Sequence, residues 1–224
     1  MTGNIILEFP ELYLFPKGLW VTIQLSAISL AGSLFVGTII AIFRISPVPP
    51  LRWFGAGYVE FVRNTPLVVQ LFFLFFGAPL LGFRLSGDPF EYNFRAAFLG
   101  LALHHAAYVA EIFRGGLLGV DKGQIEAARS SGLSYLDMLR YVQLPQAIRA
   151  VIPPLGNILI ALVKNTSLAT TIGVAELLNA ADIVESRTFR TAEAYAAVAL
   201  LYLLLTIPLA AGVNWIEKRL KVVR

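Results

Sequence analysis

The sequence predicts an all-α integral membrane protein in which five transmembrane helices form a single domain over residues 1–224. Hydrophobic residues make up 57% of the chain and charged residues only 14%, whereas about 25% of the residues in a soluble domain are charged. Long apolar stretches recur along the chain. One polar stretch, at about residues 119–149, divides them into two groups and cannot lie in hydrocarbon, because its charges need water.

The first two helices are expected at about residues 18–43 and 58–83. Residues 20–43 and 64–83 contain no charged side chain, and each stretch provides the roughly 20 residues that a spanning helix needs. Small residues recur on one face of the first helix: Ser26, Ser29, Ser33 and Gly37. Such a stripe predicts close packing against a neighbouring helix.

The other three helices are expected at about residues 94–118, 150–175 and 194–217. The last of these is free of charged residues over most of its length. The helix at 94–118 carries Glu111, which is expected near its cytosolic end, and the helix at 150–175 is interrupted by Lys164. Five helices place the two ends of the chain on opposite sides of the membrane.

The distribution of lysine and arginine predicts that the N-terminus lies outside and the C-terminus in the cytosol. In this orientation twelve of the 18 cationic residues flank the inner face, five flank the outer face, and Lys164 alone lies within a helix. Membrane proteins carry such an excess on their cytosolic flanks. These flanks also explain the net charge of +4, so membrane lipid is an expected partner and nucleic acid is not.

The polar stretch has the order of a helix, a turn and a second helix. Residues 124–131 favour a short helix, and Gly132 permits a turn that a Cβ atom would hinder. Ser134 is suited to cap a second helix, and Pro145 is expected to stop that helix. A water-exposed segment with this order, placed between two membrane helices, predicts a docking surface.

This stretch resembles the EAA loop of bacterial ABC-importer permeases, because Glu126-Ala127-Ala128, Gly132 and Leu144-Pro145 stand at that family's spacing. Four further stretches resemble the family's polar amino-acid branch, which takes up histidine, glutamate, glutamine, arginine or opines: Val62-Arg63-Asn64-Thr65-Pro66-Leu67, Ala110-Glu111-Ile112-Phe113-Arg114-Gly115-Gly116, Pro154-Leu155-Gly156-Asn157 and Lys164-Asn165-Thr166-Ser167-Leu168. Residues 156–166 and 44–48 look most like glutamate-system permeases.

The resemblance implies a permease subunit of the bacterial plasma (inner) membrane that is not itself an enzyme. The sequence contains no Gly-x-x-x-x-Gly-Lys-Ser/Thr phosphate loop, so separate ABC ATPase subunits are expected to bind ATP and magnesium. A second permease subunit, identical or a sister chain, is also implied, as is an external substrate-binding protein that lands on residues 84–95 and 176–193. Neither a catalytic residue nor a cofactor or metal site is expected in this chain, which has no cysteine.

Coupling to the ATPase is expected to depend on the EAA-like loop. The resemblance assigns this role to six residues: Glu126, Ala127, Ala128, Gly132, Leu144 and Pro145. Glu126 leads the set, because a carboxylate near the start of a short helix favours the helix dipole and can meet a basic residue of a partner. Taken alone, Glu126 is an ordinary solvated helix residue and Gly132 an ordinary turn glycine.

The candidate substrate-binding residues are polar side chains expected at membrane depth: Lys164, Asn165, Thr166, Ser167, Asn157, His104 and Gln70. A lysine at a helix centre costs roughly 2.5–3.5 kcal/mol, so Lys164 needs water or an anion such as an amino acid's carboxylate. Asn157 precedes it by two helical turns and shares its face. Alternatively, Lys164 snorkels to the outer surface or caps a helix, and Gln70 makes an interhelical hydrogen bond. Of His104 and His105, at most one is expected to face a shared cavity.

The favoured substrate is glutamate. Where the family often has Glu after the Gly-Asn pair and Asp within the Lys-x-Thr-Ser block, this chain has Ile158 and Asn165. A pocket that keeps Lys164 but lacks those carboxylates suits a cationic side chain poorly, because such a charge is costly to desolvate without a partner. Glutamine, arginine and histidine are the alternative substrates.

An ion-coupled secondary carrier or channel is the alternative from another class. Lys164, His104 and Glu111 would then form a proton path that needs no ATPase, although the EAA-like loop argues against it. An intramembrane enzyme is not indicated, because the sequence contains neither a His-Glu-x-x-His helix nor a Gly-x-Ser-x-Gly elbow.

Overall fold

The computed structural model describes residues 13–220, and within that range the chain forms helices joined by short connections, without a β-strand. In chain order the α-helices are α1 (Leu14–Ile45), α2 (Pro49–Arg63), α3 (Leu67–Phe72), α4 (Ala78–Leu80), α5 (Pro89–Leu118), α6 (Lys122–Ser130), α7 (Tyr135–Met138), α8 (Leu144–Asn165), α9 (Leu177–Thr188) and α10 (Thr191–Leu220). Phe73–Gly77 and Leu139–Gln143 are π-helical turns, and Thr166–Ile172 is a 3₁₀-helix. The all-α fold class is confirmed.

Four helical stretches within residues 13–220 are long and apolar enough to cross a membrane, and a bent pair of helices makes a fifth. The four are Leu14–Ile45, Glu91–Leu118, Tyr135–Ile172 and Thr191–Leu220. The bent pair consists of α2 and the stretch Leu67–Leu80. The structure therefore contains the five spans that the sequence suggested, one of them in a broken form.

The structure corrects the expected straight helix at about residues 58–83, because the chain turns by 105° between α2 and α3. Pro66 accounts for the break, since a proline disfavours the helical conformation of the residue before it and has no N–H to donate. Asn64 closes α2 by donating a side-chain hydrogen bond to the carbonyl of Glu60 at 2.8 Å. Two shorter helices thus meet at an angle near the middle of the fold.

The polar stretch folds as a helix, a turn and a second helix, as its sequence predicts. The carboxylate of Asp121 caps α6 by accepting a hydrogen bond from the N–H of Gln124 at 3.2 Å. Gly132 adopts a φ of 81°, which L side chains rarely adopt. Ser134 caps α7 by accepting from the N–H of Asp137 at 3.2 Å, so the predicted turn and cap are both confirmed.

Pro145 does not stop the second helix of this stretch, contrary to the expectation. The chain continues from α7 through the π-helical turn Leu139–Gln143 into α8, so that Tyr135–Ile172 is one helical stretch. Proline is tolerated here because it lies in the first turn of α8, and the π-helical turn before it accommodates the changed hydrogen bonding. The polar stretch and the fourth span are therefore mechanically continuous.

Close packing of α1 against α5 forms the centre of the fold. Ser29 and Ser33 are fully buried, and Ser26 is nearly so. A Cβ atom at Gly37 would lie only 2.6 Å from Cγ1 of Val109 on α5, so the two helices approach this closely because Gly37 has no side chain. The predicted packing of the small-residue stripe is confirmed.

The outer segment expected at residues 176–193 contains a helix, α9, which packs against α1 and α10. Glu176 is fully buried and caps this helix. Its carboxylate accepts hydrogen bonds from the N–H groups of Leu178 at 2.9 Å and Asn179 at 2.8 Å, and from the hydroxyl of Tyr202 at 3.0 Å. The sequence did not indicate that α9 begins after Glu176, because helices are usually capped by Ser, Thr, Asp or Asn rather than by Glu.

Candidate functional site

The coupling segment, residues 119–149, holds most of the predicted coupling residues at its surface. Five of the six are exposed: Glu126, Ala127, Gly132, Leu144 and Pro145. Ala128 is 7% exposed and packs inside the segment. Glu126 makes no ion pair with any other described residue. The structure thus presents a free carboxylate on one side of α6.

An apolar patch lies within the same segment. Tyr135, Leu136 and Tyr141 are 67%, 73% and 63% exposed. Several large apolar side chains exposed within one short polar segment are typical of protein contacts. Sequence reasoning missed this patch, since it treated the segment as uniformly polar and lacked the helix register that brings α7 and the following π-helical turn to the surface.

Hydrogen bonds tie the coupling segment to two of the membrane helices. The side chain of Gln143 donates to the carbonyl of Leu117 at the end of α5, at 3.3 Å. Gln146 on α8 donates to the side-chain oxygen of Gln124 on α6 at 2.5 Å. Met138, the last residue of α7, is buried, with 2% of its surface exposed. The coupling segment is therefore connected to both α5 and α8.

A cluster of charges joins α1 and α5 at the end of the bundle that carries the coupling segment. Glu111 forms ion pairs with Arg44 of α1 and with Arg114, whose Nη2 lies 2.8 Å from Oε2 of Glu111. The guanidinium of Arg63 lies 5.4 Å from the centre of the Tyr108 ring. The sequence indicated an acid near this end but not its partner on α1; the rule that an acid in a spanning helix needs a cation could have pointed to one.

Gln70 and His104, two predicted substrate contacts, form a hydrogen bond with each other, and Gln70 also forms hydrogen bonds with the break after α2. The side-chain nitrogen of Gln70 donates to the carbonyls of Val62 at 2.9 Å and Thr65 at 3.0 Å. Its oxygen lies 3.3 Å from Nδ1 of His104. These bonds match the alternative of an interhelical role for Gln70. It also lines an apolar cavity of about 390 Å³, which is ill suited to a polar solute.

His105 and Asn165 form the second polar contact at this depth. Nδ1 of His105 lies 2.8 Å from the carbonyl of Leu101, and its Nε2 lies 3.2 Å from the side-chain nitrogen of Asn165. His105 is only 2% exposed. The sequence predicted that at most one of the two histidines faces a shared cavity, but it did not indicate His105 as the partner of Asn165.

Lys164 and Asn157 are both exposed on α8. Lys164 forms no ion pair within the part of the chain that the structure describes. Ser167 donates to the carbonyl of Lys164 at 2.7 Å. Thr166 is fully buried and donates to the carbonyl of Val163 at 2.7 Å. The structure therefore exposes Asn157 and Lys164, leaves Asn165 partly buried beside His105, and turns Thr166 inward.

Comparison with known protein families gives one clear match. The family described as "Binding-protein-dependent transport system inner membrane component" matches residues 33–222. This range includes α2 to α10 in full and the C-terminal part of α1, from residue 33 onward.

Two curated relatives and one solved structure are similar over nearly the whole chain. The probable glutamine ABC transporter permease protein GlnM of Bacillus subtilis is 44% identical, over 97% of this chain and 98% of its own. The glutamate transport system permease protein GluC of Corynebacterium efficiens is 42% identical, over 91% and 92%. A crystal structure of an amino acid ABC transporter with histidines is 35% identical, covers 98% and 100%, and superposes with a TM-score of 0.88.

Proposed function

From the premise that this chain belongs to the family of binding-protein-dependent transport system inner membrane components, we propose that it forms the substrate path of an ATP-driven importer for glutamate or glutamine. The chain is an amino-acid ABC importer permease of the bacterial inner membrane. Relatives named for glutamine and for glutamate are almost equally similar to it, at 44% and 42% identity. Glutamate therefore stays a prediction, with glutamine beside it. The family membership gives no support to an ion-coupled carrier.

The exposure of Lys164 is the observation that supports this proposal most directly. Lys164 lies eight residues before the end of the Tyr135–Ile172 span, on a surface that no other described residue covers. An ammonium group in contact with lipid costs several kcal/mol. This surface of α8 therefore faces water, a second permease subunit or both. We call the water-filled route along it the substrate path.

The charges on α8 favour an anionic or neutral substrate side chain over a cationic one. Residues 144–165 contain Arg149 and Lys164 but no Asp or Glu. Lys164 can attract a carboxylate of the substrate, whereas arginine would bring a second cation without a partner on this helix. This argument disfavours arginine and protonated histidine, the other substrates that the sequence left open.

The coupling segment supplies the proposed connection to the motor. Membership of this family implies an ATPase and a substrate-binding protein as partners. We place the ATPase on Glu126 and the apolar patch of Tyr135, Leu136 and Tyr141, since this surface combines a free carboxylate with exposed apolar side chains. Because Tyr135–Ile172 is continuous, a displacement at its exposed end moves Lys164 along with it. ATP is hydrolysed in the partner.

The remaining partners follow from the predicted orientation. A second permease subunit, identical or a sister chain, would close the substrate path opposite α8. The substrate-binding protein would land on the outer segments 84–95 and 176–193. The second of these includes α9, which is anchored by the buried cap Glu176 and is therefore a firm surface rather than an open loop.

ATP-driven uptake by the assembled complex in liposomes tests this function. Labelled glutamate and labelled glutamine are each offered with the binding protein and competed with unlabelled aspartate, arginine and histidine. We expect ATP-dependent uptake of glutamate, glutamine or both, with little competition by arginine. Uptake that persists without ATP would contradict the importer assignment, and preferred uptake of arginine would contradict the substrate assignment.

Two substitutions at Glu126 test the coupling surface in the same preparation. Glu126→Arg reverses the charge and is expected to abolish ATP-dependent uptake and to release the ATPase during purification. Glu126→Gln keeps the shape and removes only the charge, so it should retain part of both. Full uptake by the arginine variant would show that the carboxylate is an ordinary solvated residue.

A further inference from the structure

We propose that His105 is a positioning residue for the substrate path: it holds the side chain of Asn165 so that the amide oxygen faces outward and accepts a hydrogen bond from the substrate's α-ammonium group. This inference rests on the proposed function, in which Asn165 contacts an amino acid. It goes further by naming the group of the substrate that Asn165 recognises and the buried residue that prepares Asn165 for it.

The hydrogen bonds of His105 determine which of its nitrogens carries the proton. Nδ1 lies 2.8 Å from the carbonyl oxygen of Leu101. A carbonyl oxygen can only accept, so Nδ1 must be the protonated nitrogen. In the neutral ring, Nε2 is then left with a lone pair and acts as an acceptor. The ring is 2% exposed and lies in the middle of α5, where it has little freedom to turn.

The acceptor on His105 fixes the orientation of Asn165. Nε2 of His105 lies 3.2 Å from the side-chain nitrogen of Asn165, which is therefore the donor of this bond. A flipped amide would set an oxygen lone pair against the lone pair of Nε2 and lose the bond. The amide oxygen of Asn165 accepts no hydrogen bond from the described residues, and Asn165 is only partly buried. This oxygen can therefore accept a hydrogen bond from a substrate.

The same reasoning gives the tautomer of the neighbouring His104. The two N–H groups of the Gln70 side chain are donated to backbone carbonyls, so its oxygen must accept and Nδ1 of His104 must donate. Nε2 of His104 therefore carries a lone pair, and the residue is 8% exposed. The rings of His104 and His105 lie 5.3 Å apart.

The arrangement fits the two charged groups that every amino acid carries. The amide oxygen of Asn165 offers an acceptor, which suits an ammonium group, and the adjacent Lys164 offers an ammonium, which suits a carboxylate. The amide nitrogen of Asn165 is already bonded to His105. The Asn165 side chain is thus held in its binding orientation before the substrate arrives, so less conformational entropy is lost on binding.

Equilibrium binding to the purified permease–ATPase complex tests the proposal. Labelled glutamate and glutamine are compared with glutarate and glutaramate, the same molecules without the amino group. In His105→Leu we expect the dissociation constant for the amino acids to rise about tenfold, as the loss of one hydrogen bond to a charged group predicts. Binding of the two analogues should be weak in both proteins and change less than twofold.

A second variant separates positioning from packing. In His105→Gln the side-chain oxygen can accept from Asn165 in place of Nε2, so affinity should stay within about threefold of the wild-type value. His105→Leu combined with Asn165→Ala should bind no more weakly than Asn165→Ala alone, because both changes remove the same contact. Melting temperature and basal ATPase activity of each complex show whether it is folded.

Three other binding results would each contradict part of the proposal. Amino-acid binding that is unchanged in His105→Leu would show that His105 has no part in the site. Equal weakening of glutamate and glutarate would show that it only supports packing. If the wild-type complex binds neither amino acid, the substrate site of the proposed function is wrong and this inference falls with it.

Discussion

The ion pairs of Glu111 are expected to stabilise the permease, and their contribution can be worked out from the structure. Glu111 accepts from Arg44 on α1 through one oxygen and from Arg114 through the other. The three side chains are 21%, 17% and 32% exposed, so solvent screens these contacts only in part. A hydrogen bond to a charged group contributes about 1.5–3 kcal/mol when it is well formed.

Glu111→Gln keeps one acceptor oxygen but removes the charge and the second acceptor. One of the two guanidinium groups therefore loses its partner, and Arg63, close to Tyr108, leaves further positive charge nearby. Allowing for screening, we expect a loss of about 2 kcal/mol. For a domain of this size that corresponds to a fall in melting temperature of roughly 4–8 °C.

Glu91→Gln is the matched control, because it makes the same change on the same helix. Glu91 pairs with Arg95, but both side chains are about half exposed, and such pairs contribute little. Thermal unfolding of the purified complexes, followed by tryptophan fluorescence, should show a clear shift for Glu111→Gln and almost none for Glu91→Gln. Equal shifts in the two variants would refute the reasoning from burial.

Three further outcomes are expected. Gly37→Ala should lower the melting temperature, because its Cβ meets Val109 at 2.6 Å, whereas Gly57→Ala, with nothing within 4 Å, should leave it unchanged or slightly higher. Burial raises the pKa of Glu176 from 4.5 to about 7, so the folded state binds the proton more tightly than the unfolded chain. The free energy of unfolding should therefore fall as pH rises from about 4.5 to 7 and stay constant above that range. Glu176→Gln should remove this trend when melting temperatures are measured at a series of pH values. Lys164→Gln should lower ATP-driven uptake at least tenfold while the complex stays folded, and normal uptake would remove Lys164 from the substrate path.

The spans were predictable from the sequence because their signal is local. Uncharged stretches of about 20 residues have few alternatives to crossing a membrane, and Ser134 and Gly132 gave a cap and a turn from short-range rules that the structure confirms. Pro145 and the break before Pro66 show where local rules fail. The helix ends before Pro66 but continues through Pro145. The difference depends on the π-helical turn Leu139–Gln143, which cannot be predicted from the sequence.

The candidate site was predictable as a set of residue types but not as an arrangement. Lys164 and Asn157 share a face through simple helical periodicity, and both are exposed on α8. Which histidine pairs with which amide depends on the angle between α5, α8 and the bent second span, so the partners of Gln70 and Asn165 could not be read from spacing. A buried His105 gives no signal of its own in the sequence.

The position of Lys164 also bears on how two permease subunits fit together. A single chain in a bilayer leaves this ammonium at a surface that lipid solvates poorly, at a cost of several kcal/mol. In the proposed assembly a second subunit would close the path. If it carried the same lysine, it would add repulsion of about 1.7 kcal/mol at an assumed separation of about 10 Å and an effective dielectric constant of about 20. A substrate carboxylate between the two subunits would offset that repulsion. In that assembly an empty path would favour separation of the two faces, and a filled path would favour their approach.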